Sequence, residues 1–158
     1  MTMAKVGNPM KALIFLIALL TTAVAAGQGD PGQHLLIGDT DVYYGLTPST
    51  ALGAHPASHA EASMHGGVPG NRYQYHLVVA LFDHVTQKRI SDARVSAAIQ
   101  EIGLSETRRT LEQMRTGDTI SYGAYFDMSG TGPYRVKLEV RRPDRPGTVS
   151  GQFEYRLQ

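Results

Sequence analysis

The chain has 158 residues, 42% of them hydrophobic and 18% charged, with a formal net charge of +1 and no cysteine. That length suits one domain with a real core. The near-neutral charge leaves no broad basic field for nucleic acid or anionic lipid. The missing cysteines exclude disulfide staples, thiolate metal sites and redox thiol chemistry.

Residues 1–25 read as a secretory signal peptide. Lys5 and Lys11 make a positive start, Ala12 to Leu20 an apolar run, and Ala23-Val24-Ala25 a small-x-small cleavage pattern. The apolar run is short for a comfortable bilayer span, so cleavage would leave no membrane span; an uncleaved anchor is the other reading of the same run. Cleavage removes both lysines, leaving 13 basic residues against 14 acidic ones and a net charge of −1. The predicted location is therefore periplasmic or otherwise extracytoplasmic.

Residues 26–40 follow as a flexible lead-in and residues 41–158 as a single domain. Asp41 to Tyr44 is a candidate first strand. Residues 46–72 form a long loop of Gly, Pro, Ala, Ser and His with almost no large apolar side chain. Loops of that length inside a domain are usually functional or disordered.

The remainder has strand periodicity. Tyr73 to Asp83 is a nearly continuous apolar run. Ala93, Val95, Ala97 and Ile99 alternate with more polar neighbours, as do Ile120, Tyr122, Ala124 and Phe126. Ser105 to Met114 fits a short helix as well as a strand, because Leu111 and Met114 sit at helical spacing while Thr110 is β-branched. Tyr134 to Val140 and Phe153 to Leu157 close the pattern. About six to seven short strands with no long amphipathic helix predict an all-β fold, an immunoglobulin-like antiparallel β-sandwich.

One stretch of the long loop carries chemistry. Between His55 and His65, three histidines and a methionine fall within eleven residues: His55, His59, Met64 and His65. His76 opens the strand that follows. Imidazole suits copper, zinc and nickel, and a thioether narrows the choice toward Cu(I). A cysteine-free exported domain with this set is read as a copper-ion site with ligands His55, His59, Met64, His65 and His76. The competing reading is a polar loop whose histidines are merely solvated. His76 shares parity with Val78, Ala80 and Phe82, which also fits a satisfied core or rim histidine. His84 lies too far along the strand to join His76 at one ion; it is read as solvated, and His34 as mobile. Met114 and Met128 read as core.

No nucleophile elbow, phosphate cradle or paired carboxylates appear, so the chain is not read as an enzyme. Ser129 to Pro133 reads as a hairpin turn.

Tyr75 to Val95 (YHLVVALFDHVTQKRISDARV) and the later Gly132 to Leu138 (GPYRVKL) resemble a pattern of small exported β-sandwich domains. The likeness, over roughly residues 73–157, is to the YtkA-like and FixH-like families. That resemblance implies a sandwich fold and an association with copper handling and oxidase assembly; the His/Met loop lies outside it. The functional expectation is a copper chaperone, buffer or sensor. The alternative is an extracytoplasmic interaction module, without metal, that docks an envelope or membrane protein through its loop or a strand edge.

Overall fold

Alternating apolar side chains become strands here because every second one can be withdrawn into a shared interior. The computed structural model describes residues 33–52 and 70–157. In chain order these form β1 (His34–Ile37), β2 (Thr40–Pro48), the helical turn α1 (Ser49–Leu52), β3 (Gln74–Asp83), β4 (Arg94–Glu101), β5 (Glu106–Thr116), β6 (Thr119–Asp127), β7 (Tyr134–Arg141) and β8 (Val149–Tyr155). Every pairing is antiparallel, in the order β1-β2-β3-β6-β5-β4-β7-β8.

β5 is the hinge of this arrangement. Its residues Glu106 to Leu111 pair with β4, and Glu112 to Thr116 pair with β6. The change of partner turns one ladder into two packed sheets, the all-β sandwich that the periodicity predicts. The far edges nearly close it into a barrel. Ile37 of β1 lies over Gly151 of β8, where a Cβ would stand 2.7 Å from the isoleucine Cγ1. Between the sheets lie Val42, Leu77, Val79, Leu81, Val95, Ile99, Tyr122, Phe126, Met128, Val136, Leu138 and Val140. Tyr122 also anchors the incoming end of β4: its hydroxyl accepts from the Ala93 N–H at 3.0 Å.

The eight strands exceed the expected count by β1, which falls inside the stretch read as lead-in. Four residues are too few for a periodicity to register, but β1 gains its place by pairing with β2 and burying Ile37. Leu46 to Pro48, read as the start of the loop, extend β2 instead. The ambiguous 105–114 stretch is strand. Leu111 and Met114 consequently lie on opposite faces of β5, Leu111 in the main core and Met114 outside it.

One end of the sandwich is tied by charge. The buried Arg142 guanidinium donates to Asp144 at 2.7 Å and Asp83 at 2.9 Å, and lies 3.4 Å from Asp39. The Thr86 backbone N–H, then Arg142, hold the Asp83 carboxyl well below the usual carboxylate range.

Candidate metal centre

Strand alternation in β3 sends Leu77, Val79 and Leu81 to the core and His76 to the opposite face. Register then decides what His76 meets. His76 lies opposite Tyr125 of β6, Val78 opposite Gly123, and Gly123 opposite Glu112 of β5. His76, Tyr125, Gly123 and Met114 therefore share one outer face of the sheet.

Outer-face residues are normally wet, yet His76 is 2% exposed, Met114 3% and Tyr125 7%. Met114 and Tyr125 stand apart from the main core. The Tyr125 ring stacks on the His76 imidazole, with centroids 4.5 Å apart and planes 23° apart.

Gly123 explains how the other two side chains meet. A Cβ at this position would lie 2.8 Å from His76 Nε2, 2.9 Å from Met114 Sδ and 2.7 Å from Met114 Cε. The imidazole nitrogen and the thioether sulfur thus converge on the space left by the missing side chain. β3 and β5 are separated by β6, so their backbones are about 10 Å apart; only a bare residue between them lets these atoms converge.

The chemistry of this pair is neutral and soft. An imidazole nitrogen beside a thioether sulfur, withdrawn from water, fits Cu(I) better than hard cations that want carboxylates. Among the described residues, no group of three or more His, Asp or Glu side chains is arranged to hold a metal ion.

The His/Met stretch enters and leaves beside this pair. Pro48 at the end of β2 lies opposite Tyr75, and Thr47 opposite His76. The buried Ser49 hydroxyl donates to the Asn71 carbonyl at 2.9 Å, and the Asn71 side chain accepts from the Tyr73 N–H at 3.0 Å. Both ends of the intervening segment are thereby held together next to the start of β3. His55, His59, Met64 and His65 themselves lie outside the described residues.

The remaining described histidines are elsewhere. His34 Nε2 is 2.9 Å from Asp41 Oδ1, and His84 Nδ1 is 3.0 Å from Asp41 Oδ2. Both rings are partly exposed, but neither is merely solvated or loose: each engages one oxygen of the same buried carboxylate. Burial pushes the Asp41 carboxyl up, but hydrogen bonds from His84, His34 and Gln87 outweigh it and hold the group below its ordinary value.

Met114, Gly123 and Tyr125 escape sequence reasoning. They lie 38 or more residues after His76, and only the β3–β6–β5 register joins them. A glycine amid the alternating apolar residues of β6 is the one local signal, since such a glycine often marks a close approach.

No family model matches the chain, and no curated protein matches it. Solved structures do. A DUF4426 family protein of Pseudomonas aeruginosa PAO1 superposes with a TM-score of 0.62 at 20% identity, over 80% of this chain and 95% of that one. A copper-bound variant of FetP from uropathogenic Escherichia coli gives 0.56 at 17%, over 78% and 94%. Copper-reconstituted P19 from Campylobacter jejuni gives 0.54 at 13%, over 78% and 93%. The shared feature is the fold. At these identities no ligand residue carries across.

Proposed function

We propose that this chain is an extracytoplasmic copper-binding protein, acting as a chaperone, buffer or sensor rather than as a catalyst. The observation that carries this reading is the meeting of His76 Nε2 and Met114 Sδ over Gly123, on a buried patch outside the main core. His76 and Met114 are the ligands fixed by the sheet. His55, His59, Met64 and His65 supply the remaining donors, from a segment whose two ends are joined beside His76 through Ser49 and Asn71.

Four further considerations support it. The donors are neutral nitrogen and sulfur, the set that copper(I) prefers. The N-terminal pattern is read as an export signal, and a His/Met set needs no cysteine to hold copper outside the cytoplasm. The fold is shared with FetP and P19, both of which have been solved with copper bound. The resemblance to YtkA-like and FixH-like domains points to the same chemistry.

Metal analysis of the protein purified from its native compartment tests this. Near-stoichiometric copper is the expected result. Copper-free protein that takes up none on incubation with Cu(I) would overturn it.

A second reading has one observation in its favour. Among the described residues, Glu106 to Leu111 pair with β4 on one side and with no strand on the other. This is an open edge to which a partner's strand could add, with Arg108 and Arg109 limiting unselective pairing. A protein retained from envelope extract equally well by a chain lacking residues 53–67 would favour this reading.

A further inference from the structure

Resting on the copper reading, we infer that Tyr125 is a positioning residue for the metal centre, fixing the plane of His76 and thereby favouring Cu(I) over Cu(II). Imidazole on a strand has two soft torsions, and nothing in the backbone of β3 chooses between them. Tyr125 does. It lies directly opposite His76 in register, and its ring covers one face of the imidazole at 4.5 Å and 23°. The stacked pair leaves Nε2 beside the Gly123 gap, which Met114 Sδ also borders.

β6 thus acts as a template with alternate residues in two roles. Gly123 leaves the space in which the donors meet. Tyr125, two residues on, covers one face of the imidazole whose nitrogen reaches that space. The backbones on either side are locked by the β3–β6 and β5–β6 ladders. A nitrogen and a sulfur held this way cannot easily rearrange into the tetragonal nitrogen and oxygen set that Cu(II) favours. The selectivity comes from restraint on the ligand rather than from contact between Tyr125 and the metal.

The test uses the purified full chain, Tyr125→Phe and Tyr125→Leu. Proton NMR of the metal-free protein reads the His76 ring signals and their Overhauser contact with the Met114 methyl group. Competition titrations read Cu(I) and Cu(II) affinity separately. Tyr125→Phe should behave as the parent in both. Tyr125→Leu should lose the ring-current shift of His76 and the contact to Met114. It should also weaken Cu(I) binding by about tenfold, the range typical of residues that orient a ligand, while Cu(II) binding changes less. An unchanged Cu(I)/Cu(II) ratio in Tyr125→Leu would overturn the inference even if the parent binds copper. Retention of the His76–Met114 contact in Tyr125→Leu would overturn it even if the parent binds none. Absence of copper binding in the parent is a separate outcome that removes the copper reading itself.

Discussion

His76 and Met114 stand on strands separated by a third, and their Nε2 and Sδ atoms converge only because Gly123 between them has no side chain. Gly123→Ala is therefore a sharp substitution. In an unconstrained strand, alanine in place of glycine is favourable by a fraction of a kcal/mol, because the unfolded chain loses freedom. Here the added methyl must displace the sulfur or the imidazole, and overpacking of this kind costs about 1–3 kcal/mol. The denaturation midpoint should fall rather than rise, and Cu(I) affinity should fall with it.

Met114→Leu separates packing from ligation. Leucine is close to methionine in volume, so stability should drop by less than about 1.5 kcal/mol. The sulfur is lost, so Cu(I) affinity should drop at least about tenfold. Unchanged affinity in a competition titration would assign Met114 to packing alone.

Much of the fold is legible in the sequence because its periodicity is driven by burial. Leu77, Val79 and Leu81 alternate out of the same run that places His76 on the other face. The alternations at Tyr134 to Val140 and Ile120 to Phe126 likewise become β7 and β6. β1 is missed because four residues carry too little pattern. Met114 is buried, as read, but outside the main core cluster, because strand geometry puts it on the face of β5 opposite Leu111. Of the site, His76 is legible as a strand-borne candidate. Its partners are not, since pairing register depends on which strands become neighbours.

Arg142 should be a point of fragility. It is buried, and its guanidinium engages Asp83, Asp144 and Asp39 from one end of the sandwich. Arg142→Met leaves Asp83 with only the more distant Arg145, 3.8 Å away, as a charge partner. We expect a loss of about 2 kcal/mol, at or below the low end for a broken buried pair because Asp39 and Asp144 are partly solvated. Urea denaturation of the two proteins at neutral pH measures it.

Asp41 and Asp83 set the acid limb of stability. Both are held below the usual carboxylate range, Asp41 despite its burial through His84, His34 and Gln87, Asp83 through Thr86 and Arg142. A carboxyl whose folded value is depressed contributes stability that is fully present above its unfolded value of about 3.9 and is lost as pH falls through the folded value. Urea midpoints should hold steady down to about pH 5 and then fall. Asp41→Asn should show a shallower fall below that pH. Parallel curves for the two proteins would remove Asp41 from the account.

The most direct measurement of the central claim is a Cu(I) competition titration of the parent protein against His76→Ala, with folding of both checked by near-ultraviolet circular dichroism. We expect one tight Cu(I) site in the parent, with a dissociation constant below about 1 μM, and a loss of at least about tenfold in His76→Ala. A folded His76→Ala protein that binds Cu(I) as tightly as the parent would contradict it.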